Sequence, residues 1–299
     1  MVSSQRKSIE RNEYFIDTSS GMTIYTIEKK LSNYSPSKAV LLIHGAGVGG
    51  ACWDLNVKDY NTMQLLAQEG FDVFAVDQRG YGKSTKPDGT TVTSEVSADD
   101  LGSVIDFIRS LRNIEKVDIV GHSFGGMVAV CMAAKYPENV GKIVSMAAPY
   151  KFLNPNFQST VDGLVEMANK GITYVPNKHY LNIEEKLYSY EKEVTDTYKK
   201  LVAELYSEWP TGVFLDLNSL NYNKYIPSIT NPTLLINGAA EYVVDPHDAE
   251  ECLNALGAKQ KALLVVGNAY HIVFLEKIAH RIVNQAVIAW LHSDSGQLF

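Results

Sequence analysis

The sequence predicts an α/β fold, a mostly parallel sheet covered by helices on both faces. Short apolar runs alternate along the chain with longer segments of helical periodicity, which is typical of parallel strands joined by crossover helices. Several runs are apolar at every position, as expected for strands that are buried on both faces. The predicted strands comprise residues 22–27, 40–43, 71–76, 117–120, 142–146, 233–236 and 262–266. The predicted helices comprise residues 62–68, 98–111, 126–136, 247–256 and 276–291.

Residues 150–229 interrupt this alternation, because they contain no convincing strand. They contain amphipathic helical patterns and many aromatic side chains instead. A helical insertion between two strands predicts a lid over the carboxyl edge of the sheet, where α/β folds bind ligands. We therefore predict a core formed by residues 1–149 and 230–299, and a helical cap formed by residues 150–229.

The overall composition is that of an ordinary globular protein. The 299 residues are 45% hydrophobic and 20% charged, so the chain can bury a large core. The formal net charge of −7 and the lack of a Lys/Arg run argue against a nucleic-acid partner. No apolar stretch approaches the roughly 18 residues that cross a bilayer, and residues 1–14 show no secretory signal. The sequence leaves the oligomeric state open.

The three cysteines are Cys52, Cys131 and Cys252, and they lack the spacing of a metal site. An odd number of cysteines, in a chain with no visible secretory signal, is most simply explained by reduced thiols. This predicts a cytoplasmic location. We expect Cys131 to pack in the core. Cys52 either lines a pocket or, as we favour, has a structural role.

The most informative segment comprises residues 119–127, where Gly121, Ser123 and Gly125 form a Gly-x-Ser-x-Gly pattern. A predicted strand leads into this segment, and a helical run of small residues leaves it. A strand that turns abruptly into a helix strains the backbone of the central residue and lifts its side chain into the open. Bulky neighbours two residues away would clash. The pattern therefore predicts an exposed, nucleophilic Ser123.

A serine nucleophile needs a base that takes its proton, and the base needs a carboxylate that fixes its tautomer. His271 is the predicted base, because it follows the last predicted strand and so shares a sheet edge with Ser123. The carboxylate should lie in the loop after the preceding strand, which contains Glu241 and Asp245. We favour Glu241, which is nearer to the strand end, and we expect Asp245 to cap the next helix.

Acyl transfer also needs two backbone N–H donors for the oxyanion of the tetrahedral intermediate. We predict Phe124 as one donor, because it follows the nucleophile. Ala46 is the other, because it lies in the glycine-rich loop 44–50 after a predicted strand, and glycines allow close approach of the backbone. Asp77 and Arg79 are expected to hold the next loop in place through charge-assisted hydrogen bonds.

These motifs together resemble the α/β-hydrolase fold superfamily. The order of nucleophile, acid and histidine along the chain is typical of that fold. The resemblance covers nearly all of the chain from about residue 12, and it implies an eight-stranded, mostly parallel sheet with a helical cap. The matching motifs are His44-Gly45-x-Gly47, Asp77-x-Arg79-Gly80-x-Gly82-x-Ser84, Gly121-His-Ser123-Phe-Gly125-Gly126, the loop 238–246 and His271.

Two positions depart from the family pattern. Glu241 stands where an aspartate is usual, and Tyr270 stands where a glycine usually precedes the histidine. We expect Tyr270 to reshape the rim of the pocket. Ser123, in the place of an aspartate nucleophile, argues against the haloalkane dehalogenase and epoxide hydrolase branches of the family.

The sequence thus predicts a serine hydrolase that cleaves a carboxylic ester, thioester or lactone of an apolar small molecule, without a metal or cofactor. One alternative is a carbon–carbon bond hydrolase, because the loop 44–50 is similar to that of hydrolases of ring-cleavage products. An acyltransferase or cyclising thioesterase would use the same residues. A ligand-binding protein without activity is disfavoured by the presence of nucleophile, acid and base together.

Overall fold

The computed structural model describes residues 8–33, 36–220 and 222–293. Its strands, in chain order, are β1 (Ile9–Asp17), β2 (Thr23–Leu31), β3 (Ala39–Ile43), β4 (Asp72–Val76), β5 (Val117–His122), β6 (Val140–Met146), β7 (Tyr174–Pro176), β8 (Glu208–Pro210), β9 (Thr233–Gly238) and β10 (Lys261–Val266). Eight of them form one sheet in the order β1-β2-β4-β3-β5-β6-β9-β10. Strand β2 runs antiparallel to β1 and β4, and the other neighbouring pairs are parallel. The predicted fold class is confirmed.

Helices pack on both faces of the sheet. In chain order, the described helices are α1 (Thr62–Gln68), α2 (Ser94–Arg112), α3 (Phe124–Lys135), α4 (Pro155–Asn169), α5 (Lys192–Leu205), α6 (Gly212–Asn218), α7 (Asp248–Ala255) and α8 (Ala279–His292), of which α4, α5 and α6 lie between β6 and β9. Leu41 and Ile43 of β3 pack in a cluster with α2 and α3. Val40 and Leu42 pack on the other face with α1 and α8. Successive strand residues point to opposite faces, so a strand covered on both faces is apolar at every position.

The structure differs from the prediction at the first strand. Strand β1 occupies residues 9–17, which the sequence did not mark as a strand. It lies at the edge of the sheet, where β2 is its one partner among the described strands, and it exposes alternate side chains. An edge strand of this kind needs little apolar surface. For this reason, β1 lacks the continuous apolar run that marks the central strands.

Residues 150–229, the cap segment, contain α4, α5 and α6. They also contain β7 and β8, which form a two-stranded antiparallel sheet. The expectation that this segment has no strand is therefore wrong. Each of these strands has three residues, too few to produce a recognisable periodicity. No helix among the described residues is both long enough and apolar enough to cross a bilayer.

A buried ion cluster ties α2 to the antiparallel part of the sheet. Arg112, in the last turn of α2, donates to Glu28 of β2 and to Asp72 of β4. Both carboxylates are fully buried. Burial, followed by the neighbouring carboxylate of Glu28, raises the pKa of Asp72 to about 7. Arg112 is therefore the cation that makes two adjacent buried acids tolerable.

We expect Arg112→Ala to lower the free energy of unfolding by about 3 kcal/mol or more, because it leaves two carboxylates buried without their cation. Urea denaturation at pH 7 measures this difference. Arg281→Ala is the matched control, since Arg281 is exposed and pairs with Asp59 at 3.5 Å; it should behave like the wild type. An Arg112→Ala protein as stable as the control would contradict this account.

Candidate active site

Ser123 occupies a strained turn between β5 and α3. Its backbone has φ 52° and ψ −119°, in the left-handed region that non-glycine residues rarely adopt. The turn packs too closely for side chains beside it. A Cβ on Gly121 would lie 2.4 Å from the Gly125 carbonyl oxygen, and a Cβ on Gly125 would lie 2.3 Å from the Ile43 carbonyl oxygen. Ser123 is partly exposed in this turn, whereas His122 and Phe124, on either side of it in the chain, are buried.

The structure brings Ser123, His271 and Glu241 together in one hydrogen-bonded chain. His271 lies in the loop after β10, and its Nε2 is 2.9 Å from the Ser123 Oγ. Its Nδ1 lies 3.0 and 3.1 Å from the two carboxylate oxygens of Glu241, in the loop after β9. Since Nε2 accepts from the serine hydroxyl, Nδ1 carries the proton and donates to Glu241.

Glu241 is fixed from its own loop. Its Oε1 accepts the backbone N–H groups of Tyr242 and Val243, each at 2.8 Å. Glu241 is 6% exposed and His271 is 5% exposed, so both side chains are held away from bulk water. In a buried site these hydrogen bonds restrict both groups to one geometry.

Within the described part of the chain, Asp245, the alternative acid, forms no hydrogen bond or ion pair with His271, which pairs with Glu241 instead. Its Oδ1 accepts the N–H of His247 at 2.8 Å, within the turn that leads into α7. The helix begins at Asp248 with His247 at the N-cap position, so the expectation that Asp245 caps this helix is wrong by two residues. The Asp248 carboxylate instead accepts three successive N–H groups at the start of the cap segment.

The loop after β3 lies directly against the turn at Ser123. A Cβ on Gly45 would be 3.1 Å from the Ser123 Cβ, so glycine allows this close approach. The next residue is Ala46. Neither the Ala46 N–H nor the Phe124 N–H donates to an acceptor among the described residues. Phe124 is the first residue of α3, where N–H groups have no partner within the helix.

His44 orients the peptide group that carries the Ala46 N–H, a role that the sequence reasoning missed. The backbone N–H of Gln78 donates to His44 Nε2 at 3.0 Å, so Nδ1 is the protonated nitrogen and donates to the Gly45 carbonyl at 2.7 Å. The C=O and N–H of a trans peptide point in opposite directions. Holding the Gly45 carbonyl therefore sets the direction of the Ala46 N–H. A histidine that directly follows a buried strand was the available signal.

His122 contacts both the backbone and the ring of His271. It is buried, and its Nε2 donates to the His271 carbonyl at 3.0 Å. Its ring lies 5.0 Å from the His271 ring and 5.1 Å from the Phe274 ring, measured between centroids. The sequence suggested packing alone for this residue. The structure adds a hydrogen bond that positions the backbone of His271.

Asp77 and Arg79 hold their loop as predicted. Arg79 donates from Nε and Nη2 to the two oxygens of Asp100, at 2.5 and 2.6 Å. Asp77 accepts the backbone N–H groups of Gly50 and Lys83 at 2.8 and 2.9 Å. Asp77 thereby joins its own loop to the glycine-rich loop after β3.

The candidate site contains no metal-binding cluster within the described ranges, where no group of three or more His, Cys, Asp or Glu side chains could hold a metal ion. Cys52, Cys131 and Cys252 are all free thiols in buried positions. Burial raises the pKa of each thiol, which keeps it protonated at neutral pH.

The chain belongs to the α/β-hydrolase fold family, whose sequence profile matches residues 38–278. Among curated relatives, it is 36% identical over 126 residues to an Arabidopsis thaliana protein provisionally named methylesterase 15, chloroplastic. That alignment covers 42% of this chain and 26% of the relative. It is 37% identical over 109 residues to a 2-hydroxy-6-oxononadienedioate/2-hydroxy-6-oxononatrienedioate hydrolase of Paraburkholderia phymatum, which covers 36% of this chain and 35% of the relative.

The fold is also that of solved esterase structures. A thermophilic esterase from Thermogutta terrifontis superposes with a TM-score of 0.73 over 95% of this chain and 100% of that chain, at 20% identity. The chain thus spans about a third or less of the two curated relatives, but the full length of this structural neighbour.

We expect the neutral, buried His122 to weaken the fold in acid. Burial, with smaller contributions from His271 and His44, lowers the pKa of His122 to about 3. Below its ordinary pKa near 6.5, the unfolded chain binds a proton that the folded chain does not, so stability falls as the pH falls. Between pH 7 and pH 5, this one group should cost about 2 kcal/mol.

The measurement is urea denaturation of wild type and His122→Asn at both pH values. The loss of stability on going to pH 5 should be smaller in His122→Asn by about that amount. His247→Asn, at an exposed histidine, should lose as much stability as the wild type. If His122→Asn and His247→Asn show the same loss, the neutral state of His122 is ruled out.

Proposed function

We propose that this protein is a serine hydrolase that cleaves a carboxylic ester, thioester or lactone of an apolar small molecule. The observation that carries the proposal is the hydrogen-bonded chain from Ser123 Oγ through His271 to Glu241, with separations of 2.9 and 3.0 Å. It begins at a strained turn that exposes the hydroxyl. Nucleophile, base and orienting acid are the three parts that acyl-enzyme chemistry requires.

In the acylation step, Ser123 Oγ attacks the carbonyl carbon while its proton moves to His271 Nε2. Glu241 holds the opposite nitrogen of the ring and stabilises the imidazolium that forms. The carbonyl oxygen becomes an oxyanion, which accepts hydrogen bonds from the N–H groups of Ala46 and Phe124. The intermediate then collapses, the bond to the leaving group breaks, and His271 returns the proton to the departing alcohol.

In the deacylation step, water takes the place of the alcohol. His271 removes a proton from the water, whose oxygen attacks the acyl carbon. Collapse of the second intermediate breaks the bond to Ser123 Oγ, and His271 gives the proton back to the serine. The carboxylic acid leaves, and the enzyme returns to its starting state without any metal or cofactor.

Aromatic side chains near His271 support an apolar substrate. Tyr270, which replaces the usual glycine, lies between Tyr188 of the cap segment and Tyr242, at ring distances of 5.5 and 5.8 Å. Trp209, which packs against Gly47 in the loop after β3, meets Phe214 edge to face at 4.9 Å. Sites lined by such aromatic rings bind ligands that are mainly apolar and make few polar contacts.

The cytoplasmic location of the protein stays a prediction.

A second candidate is cleavage of a carbon–carbon bond by the same three residues. The observation that favours it is the similarity of this chain to the 2-hydroxy-6-oxononadienedioate hydrolase of Paraburkholderia phymatum, at 37% identity over 109 residues. Turnover of that dienedioate, compared with p-nitrophenyl esters of increasing chain length, distinguishes the two. Faster cleavage of the dienedioate would favour the second candidate.

We expect Ser123→Ala to abolish labelling by a fluorophosphonate probe and to remove ester hydrolysis, because the probe and the substrate both need the same oxygen nucleophile. Gel fluorescence and a p-nitrophenyl butyrate assay provide the measurements. Ser145→Ala is the control for a serine near the same sheet edge, and it should remain labelled. Labelling of Ser123→Ala at the wild-type level would refute the nucleophile.

Two amide substitutions decide between the candidate acids. Glu241→Gln should lower kcat by several orders of magnitude, because the amide no longer favours the reactive tautomer of His271 (about 10⁴-fold in the serine protease example). Asp245→Asn should keep kcat within about threefold of the wild type, since it only alters the turn before α7. Steady-state kinetics on one ester test both variants. The reverse pattern would assign the acid to Asp245.

A further inference from the structure

We propose that Tyr180 and Asn177 of the cap segment are positioning residues for one of the two oxyanion donors, the Ala46 N–H. They hold the loop that carries the Ala46 N–H, so that full activity depends on contacts made by the cap. This inference rests on the proposed function, because it assigns a role within the same acyl transfer. It goes beyond Ser123, His271 and Glu241, since Tyr180 and Asn177 lie in the cap segment and take no part in activating the nucleophile.

Three successive carbonyl groups of the loop are each held by a different side chain. His44, from the core, donates to the Gly45 carbonyl at 2.7 Å. The Tyr180 hydroxyl donates to the Ala46 carbonyl at 3.1 Å. The Asn177 amide donates to the Gly47 carbonyl at 2.5 Å. Two of these three carbonyl hydrogen bonds therefore come from the cap segment.

The loop depends on these bonds because its own sequence fixes little. Gly47 has φ 78°, a left-handed conformation that glycine adopts readily, and glycines have weak preferences between alternative peptide orientations. The cap rings also press against it. A Cβ on Gly47 would lie 2.7 Å from Tyr180 Cε2 and 2.8 Å from Trp209 Cε3. The cap and the loop are thus packed together as well as hydrogen-bonded.

Asn177 and Tyr180 are themselves well fixed. Asn177 is 4% exposed and Tyr180 is 5% exposed, so water does not compete for their hydrogen bonds. The Asn177 amide also donates to the Tyr206 carbonyl at 2.8 Å, and its backbone N–H donates to the Ser207 carbonyl at 2.8 Å. Tyr206 in turn donates through its hydroxyl to Asp77 at 2.9 Å.

The role of the cap is separable from activation of the nucleophile. The hydrogen bonds that link Ser123, His271 and Glu241 include no residue of the cap segment. Loss of the Tyr180 hydroxyl should therefore change the placement of the Ala46 N–H and leave the pH dependence of kcat/KM unchanged. A misplaced donor weakens binding of the transition state more than binding of the substrate.

The test compares Tyr180→Phe and Asn177→Ala with Tyr222→Phe, each in the entire 299-residue chain. Tyr222 is the matched control, because it is a buried cap tyrosine that bonds to Asp216 at 3.0 Å and to Ser94, away from the loop. Each variant is assayed on p-nitrophenyl butyrate, and an aryl trifluoromethyl ketone serves as an oxyanion-forming inhibitor. Thermal unfolding verifies that each variant is folded.

We expect Tyr180→Phe and Asn177→Ala each to lower kcat by about ten- to a hundredfold with little change in KM, because a donor is misplaced but not removed. The inhibition constant of the ketone should rise by a similar factor. The midpoint of the pH dependence of kcat/KM should stay at its wild-type value. Tyr222→Phe should match the wild type in kcat and in the inhibition constant.

The two levels of the proposal fail in different ways. Wild-type kcat and ketone inhibition in both Tyr180→Phe and Asn177→Ala, with turnover still dependent on Ser123, would overturn the role of the cap residues alone. A shift of the pH midpoint in Tyr180→Phe would also overturn it, because the effect would then act through His271. A wild-type protein with no turnover dependent on Ser123 would overturn the proposed function itself.

Discussion

The close approach of the turn at Ser123 to the end of β3 is the constraint on which the rest of the site depends. A Cβ at Gly125 would lie 2.3 Å from the Ile43 carbonyl oxygen, so the helix after the turn and the neighbouring strand are in direct backbone contact. Because β3 and β5 are adjacent and parallel, the loops that follow them meet at one edge. This packing of backbone against backbone is enough to bring Gly45 and Ala46 beside Ser123, without any contribution from the side chains of the site.

Two buried histidines convert this proximity into a fixed geometry. His44 joins the loop after β3 to the loop after β4 through Gln78, and His122 joins the end of β5 to the backbone of His271. Burial lowers the pKa of His44 to about 4, so it is a neutral group with one donor and one acceptor nitrogen at physiological pH. A neutral imidazole can bond in two directions at once, which suits it to link separate loops.

The sequence alone predicted the central strands, and it predicted that Ser123, His271 and Glu241 lie close together. It did so because the carboxyl ends of parallel strands share one edge of the sheet, and because the order of the motifs along the chain is typical of the fold. It was insufficient for β1, whose half-exposed edge position needs no apolar run. It also missed the contacts of Tyr180 with Ala46, which are separated by 134 residues. Such contacts depend on how the cap packs, and local patterns do not encode packing between distant segments.

The positive φ of Ser123 costs stability at the position of the proposed nucleophile. A non-glycine residue in such a conformation costs about 1–3 kcal/mol, which the surrounding packing has to offset. Glycine would adopt φ 52° without that strain, yet it would remove the hydroxyl. Selection for stability alone would therefore favour glycine at this position, in a protein without the proposed nucleophile. Ser123 therefore lowers the stability of the fold, and the hydroxyl that it adds is the group that the proposed reaction uses.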